Sequence, residues 1–171
     1  MTGTITLIAH TAENTRTPAV SLRPATPEDT ESLAQLYYSS YEQGGVSSLE
    51  EARTVIRGVF DGEYGPFLAE ASPVVVDEGG TLVAAALVLA RRVGDDLPDA
   101  PYIFELFTAA SRRRQGLAEQ LVRCAMGTLY DKGYDQVSLR IAEDNAAALA
   151  LYLTLDFNRW VPETDYETDY V

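Results

Sequence analysis

The sequence predicts a single α/β domain in which strands and helices alternate. Two patterns carry that prediction: apolar residues alternate at period two in several short runs, and between the runs they recur at spacings of three or four. No Pro-, Gly- or Ser-rich linker divides the chain. Its 171 residues, 46% hydrophobic and 23% charged, have the length and composition of one globular domain. Cys124 is the only cysteine, which excludes a disulfide scaffold and suggests a reducing compartment. No run approaches the roughly 20 apolar residues of a membrane helix, and the opening MTGTITLIAH has no basic segment, so the expectation is a cytoplasmic protein without a membrane partner. Thirteen basic residues against 26 acidic ones leave a formal charge of −13, which repels phosphate backbones and argues against a nucleic-acid partner.

Residues 1–19 read as an extension of uncertain order, with Ile5, Leu7 and Ile8 giving at most a short strand signal; residues 20–171 read as the domain. Val20, Leu22 and Pro24 alternate with polar residues as a strand. Thr26, Pro27, Glu28 and Asp29 then mark a helix start, with a cap, a proline in the first turn and acids beside it. Leu33, Leu36, Tyr37 and Tyr41 form its apolar face, and Gly44 and Gly45 end it. Ser48 and Glu51 have capping-box spacing ahead of a second stripe, Ala52, Val55, Ile56 and Val59, which stops near Asp61 and Gly62.

Val74 to Val76, the turn residues Glu78, Gly79 and Gly80, and Leu82–Leu89 read as a β-hairpin. A loop from Asp95 leads to another apolar strand, Tyr102–Thr108. The next helix runs from Gly116 to about Tyr130 with Leu117, Leu121, Cys124, Ala125 and Thr128 on one side. Val137, Leu139 and Ile141 form a strand, Asp144 or Asn145 starts a helix reaching Leu155, and residues 157–161 give a further strand. The ending repeats ETDY twice, at 163–166 and 167–170, with strand periodicity or as a solvated acidic tail.

Two stretches carry chemistry. In FELFTAASRRRQGLA, residues 104–118, a strand passes through an arginine-rich turn into a helix at Gly116. A helix N-terminus offers unpaired N–H groups and a positive dipole end to a phosphate, and arginines add permanent charge. A solvated basic loop has the same look. In NAAALALYLTLDF, residues 145–157, a helix of small and aliphatic residues is interrupted by Tyr152, which taken alone also reads as a core tyrosine, with Asn145 as a helix cap.

Together, in this order and 29 positions apart from Gly116 to Asn145, the two stretches resemble the GNAT superfamily of acyl-coenzyme A N-acyltransferases over roughly residues 20–161. Arg113, Arg114, Gln115, Gly116, Leu117 and Ala118 fit the family's pyrophosphate loop. Asn145, Ala148, Leu151, Tyr152 and Phe157 fit its later helix. Two positions depart from the family pattern: Thr108 stands for a common valine, and Asp156 for the glycine before Phe157. Both substitutes suit the local backbone, a strand and a turn respectively.

The resemblance implies a three-layer GNAT fold, with a mixed sheet of about six or seven strands, helices on both faces and a splayed cofactor cleft between the fourth and fifth core strands. Acetyl-coenzyme A would enter as acyl donor, with no metal. Leu106, Phe107 and Thr108 would border its pantetheine arm, with backbone N–H groups near Phe107 and Thr108 as oxyanion donors. Arg113 to Ala118 would meet the pyrophosphate, and Asn145 and Tyr152 would line the cleft. Tyr152 is the candidate general acid, and Glu105 is the candidate base or else a charge on the solvated side of its strand.

The acceptor implied is a primary amine on a small molecule or peptide, with a homodimer left open. The net charge would favour cationic amines. The alternatives are a protein N-terminal or lysine acetyltransferase and a non-catalytic acyl-coenzyme A binding or sensing domain. The branch acting on protein N-termini commonly carries a glutamate five residues before the motif asparagine, where this chain has Arg140. His10 and Cys124 have no expected catalytic role.

Overall fold

The computed structural model describes residues 3–40, 46–92 and 96–162. The predicted features at Tyr41, Gly44, Gly45 and Asp95 and the ETDY repeat lie outside the described residues. Seven strands, Thr4–His10 (β1), Ser21–Pro24 (β2), Pro73–Val76 (β3), Leu82–Leu89 (β4), Tyr102–Thr108 (β5), Gln136–Ala142 (β6) and Asn158–Trp160 (β7), form one sheet in the order β2-β3-β4-β5-β6-β1-β7. The helices are Thr30–Ser40 (α1), Leu49–Asp61 (α2), Leu117–Asp131 (α3) and Ala146–Thr154 (α4). The expected order of elements between residues 20 and 161 is the observed one.

The first 19 residues differ from the expected extension. β1 runs antiparallel to β6 from Thr4 opposite Ala142 to His10 opposite Gln136, and β7 pairs along its other edge. Leu7 is 1% exposed and packs with Val137, Leu139 and Phe157. TITLIAH has the alternation of a half-buried strand, but its partner lies some 130 positions away in sequence, and pairing at that range leaves no local signal. The chain then crosses α3, where a Cβ on Gly127 would meet the Asn14 Cβ at 2.8 Å.

Local chemistry starts each helix. The Asp29 carboxylate accepts from the Thr26 N–H at 2.8 Å and from both Arg23 guanidinium nitrogens at 2.8 Å, closing the 3-10 turn that leads into α1. The Ser48 hydroxyl accepts from the Glu51 N–H at 3.0 Å to start α2, and Asn145 Oδ1 accepts from the Ala148 N–H at 3.1 Å to start α4. Asp156 takes the left-handed conformation, φ 67°, at the position where the family pattern has glycine.

α1 and α2 bury Leu33, Tyr37, Ile56 and Val59 against one face of the sheet, with Leu87, Tyr102 and Phe107. α3 and α4 cover the other face, where Val122, Leu129 and Tyr152 pack with Val88, Ile103 and Leu139. On α3 the buried face runs through Val122, Met126 and Leu129 rather than Cys124 and Thr128, which are only half-buried.

Two irregularities shape the sheet's centre. β5 and β6 are parallel and paired only at Tyr102 opposite Ser138, so beyond that point they separate. Between β4 and β5 the register slips: Val88 faces Ile103 while Leu87 faces Glu105, leaving Phe104 as an extra residue. The bulge resets the alternation, so Phe104 and Glu105 both turn toward α1 and α2.

Candidate active site

The separation of β5 from β6 opens a cavity of about 260 Å³ lined by Glu105 and Leu106 on one side, Arg140 and Ile141 on the other, and Asn145 and Tyr152 at the α4 end. Nearer α3, a second depression of about 220 Å³ is bordered by Leu106, Phe107, Thr108, Arg113, Ala118 and Ser40. Leu106 borders both.

The turn from β5 into α3 places its residues unequally. Arg114 and Gly116 hold left-handed conformations, φ 65° and 75°, on either side of Gln115, so the chain turns sharply into α3, whose Ala118 borders the depression. The Arg113 guanidinium donates to the Ser40 carbonyl and borders the depression. Arg112 turns away to Asp77 at 3.3 Å. Leu117 is buried with Val75 and Val83, leaving only its backbone to a ligand, and Gln115 lines a separate groove beside Asp77.

Strand alternation decides which amides face the gap. The Ala109 N–H bonds the Val83 carbonyl at 2.8 Å, so at period two the Phe107 N–H is also directed toward β4, while those of Leu106 and Thr108 point to the open edge. Of the expected pair, Thr108 has its N–H on the open edge and Phe107 does not, and the Leu106 N–H lies on that edge instead. Phe107 is a core residue, its ring 5.3 Å from that of Tyr37.

Tyr152 is 4% exposed and packs edge-on to Phe157 with ring centres 5.2 Å apart. Its hydroxyl has no hydrogen-bond partner among the described residues, yet the residue lines the cavity. Burial first, and the negative charge of Glu105 second, push its pKa well above the ordinary phenol value, so it is protonated across the physiological range. Glu105 accepts from the Tyr37 hydroxyl at 2.8 Å. Asn145 serves α4 as a cap and borders the cavity as well.

The sequence reading assigned Tyr37 to the core stripe of its helix and missed its polar end. Arg140, where one branch of the family carries a glutamate, lines the cavity. Tyr64 stacks on Phe104 with ring centres 4.7 Å apart, and the Arg92 guanidinium lies 5.0 Å from the Tyr102 ring centre and 5.4 Å from that of Phe104. The extra residue of the bulge, which turns Glu105 to this face, has no signature in the sequence. His10 ends β1 on the surface, and Cys124 is half-buried in α3, where burial raises its thiol pKa. Neither borders the cleft.

A family model described as the acetyltransferase (GNAT) family matches residues 30–157, most of the chain and every residue assigned to the cleft. The chain belongs to the GNAT acetyltransferase family. A mycothiol acetyltransferase of Amycolatopsis mediterranei is 28% identical over 151 residues, 86% of this chain and 49% of that protein. The chain spans between a quarter and about half of the length of the curated relatives it matches. Among solved structures, the ribosomal-protein-S18-alanine N-acetyltransferase of Escherichia coli superposes with a TM-score of 0.64 at 21% identity, covering 85% of each chain. An aminoglycoside N-acetyltransferase solved with coenzyme A gives 0.63 at 13% identity, covering 88% of this chain and 94% of that one. These two likenesses concern the fold. This GNAT domain thus has the mixed sheet and the two-sided helical cover expected of it, and among its described residues no helix is long and apolar enough to cross a membrane.

Proposed function

We propose that this GNAT domain transfers an acetyl group from acetyl-coenzyme A to a primary amine of a small molecule or peptide. The observation that carries the reading is that Glu105 and Tyr152, whose hydroxyl has no partner among the described residues, line one cavity between two strands joined only at Tyr102 and Ser138. A domain that only bound the coenzyme would need the depression at Arg113 and no buried phenol aimed into the gap.

The chain's own groups divide the work by face. Arg113 and the first amides of α3 would hold the pyrophosphate, and the open edge of β5 would pair with the pantetheine amides as an added strand does. The amine approaches from the α1 and α2 face, where Glu105 takes a proton from its ammonium form. The freed nitrogen attacks the thioester carbonyl, and the Leu106 and Thr108 N–H groups receive the oxyanion. As the C–S bond breaks and the amide C–N bond remains, Tyr152 would give its proton to the sulfur and recover the second proton that the nitrogen sheds, leaving a neutral amide, a free thiol and the phenol restored; its raised pKa keeps that proton available.

The test is release of coenzyme A from acetyl-coenzyme A in the presence of pooled primary amines, with the acetylated product identified by mass. Turnover that falls by about 10² to 10⁴ in Glu105→Gln and in Tyr152→Phe supports the assignment. Tight binding of acetyl-coenzyme A without transfer to any amine would establish a sensing domain instead.

A further inference from the structure

We infer that the acceptor is an amine that carries a carboxylate a few bonds from the reacting nitrogen, an amino acid rather than a diamine or an amino sugar. The inference rests on the transferase reading above and specifies its substrate class. Seven arginines among the described residues lie within 4.0 Å of an Asp or Glu side chain. The arginines that do not are few, and their positions are informative. Arg113 and Arg114 belong to the phosphate turn, Arg159 lies on β7, and Arg92 and Arg140 lie at the centre of the sheet on the side from which the amine comes.

The placement of Arg140 follows from β6. Val137, Leu139 and Ile141 pack toward α3 and α4, so Ser138 and Arg140 project to the opposite face, the one that holds Glu105 and Tyr37. Continuing the register from Tyr102 opposite Ser138 brings Phe104 level with Arg140, and Glu105 one residue beyond. Arg140 and Glu105 therefore line one cavity from its two walls. Among the described residues the guanidinium is held by neutral oxygens: Nε donates to Thr6 Oγ1 and Nη2 to the Asp96 carbonyl, each at 3.2 Å. Those bonds orient the fork, and they leave it donors to spare for a carboxylate. Arg92, held by the Tyr102 hydroxyl at 2.8 Å over the rings of Tyr102 and Phe104, adds a second positive charge on the same face.

A carboxylate on one wall and an arginine on the other match a zwitterion, with the ammonium toward Glu105 and the anionic group toward Arg140. The chain's charge of −13 argues for cationic acceptors only at long range. Screening confines exposed charges to about 8 to 10 Å, so inside the cleft the local pair decides.

The experiment measures kcat/KM for a panel of free amino acids, their carboxamides and putrescine, with acetyl-coenzyme A binding followed by calorimetry. Amino acids should exceed their carboxamides by about tenfold or more. Arg140→Gln should reduce that acid-to-amide ratio by roughly 10- to 100-fold, and Arg140→Lys, which keeps the charge and loses the fork, should retain part of it. The ratio is read within each variant, so a general loss of activity does not imitate the effect. Transfer to carboxamides or putrescine as efficient as to acids, or an unchanged ratio in Arg140→Gln, would overturn this inference and leave the transferase reading standing. Bound acetyl-coenzyme A with no transfer to any amine would overturn both.

Discussion

The Tyr37 hydroxyl on α1 donates to the Glu105 carboxylate on β5 at 2.8 Å, across the face from which the acceptor would arrive. Tyr37 is buried, and its own pKa is raised by that burial and by the negative charge of Glu105, so it acts as a permanent donor that fixes the orientation of the carboxylate. Tyr37→Phe removes the donor and keeps the ring against Phe107. Its kcat/KM should fall by roughly 3- to 10-fold, the scale of one positioning hydrogen bond. Glu105→Gln should cost far more. Equal losses in the two variants would mean that Glu105 itself only positions.

For Tyr152 the two roles separate cleanly. Tyr152→Phe deletes the proton donor while keeping the edge-on packing with Phe157. As a general acid it predicts a fall in kcat of about 10² to 10⁴ with little change in KM for acetyl-coenzyme A. Because its hydroxyl has no partner among the described residues, the melting temperature should hardly move. Full turnover in a destabilised variant would return Tyr152 to the core.

Coenzyme binding should depend on backbone shape at Gly116. A Cβ there would meet nothing within 4 Å, so Gly116→Ala is sterically free in space, yet φ of 75° costs a residue other than glycine about 1 kcal/mol. Relief of that strain would tilt the first amides of α3 away from the proposed pyrophosphate position. Calorimetry should show acetyl-coenzyme A binding weakened several-fold in Gly116→Ala and Arg113→Gln, with a smaller salt dependence in the latter. Binding indifferent to both changes would relocate the phosphate site.

The acid side of stability should report Asp29. Its carboxyl pKa is lowered, chiefly by the hydrogen bond from Arg23, so its contribution is present above the unfolded value near 4 and is lost as pH falls through the lower folded value. Asp29→Asn should cost about 1 to 2 kcal/mol at pH 7, discounted for the half-exposed Arg23 end. The gap between variant and parent should close as pH drops below 4. A gap in denaturation midpoints that stays constant from pH 7 to pH 3 would show that the charge is immaterial.

The N-terminal strand should be indispensable. Leu7→Ala removes a side chain buried among Val137, Leu139 and Phe157 and should destabilise the domain by about 2 to 5 kcal/mol. Deleting residues 1–11 would leave β6 and β7 without the strand between them, and the truncated chain should not give a cooperative melt. Native-like melting of that truncation would remove β1 from the required core.

Local information was sufficient wherever one element decided its own shape. The capping groups at Thr26, Ser48 and Asn145 and the hairpin turn after Val76 act over a few residues, so the sequence by itself determined where those elements begin. Its spacing of Gly116 and Asn145 also identified the family. The tertiary structure decided what depends on register. Pairing β1 beside β6, limiting the β5 and β6 contact to Tyr102 and Ser138, and inserting Phe104 as an extra residue are choices between strands far apart in the chain. Each choice moves side chains between faces, since a shift of one residue inverts a strand. That is why Glu105 meets Tyr37, and why Arg140 faces the same cavity, although neither contact can be read from neighbours in the sequence.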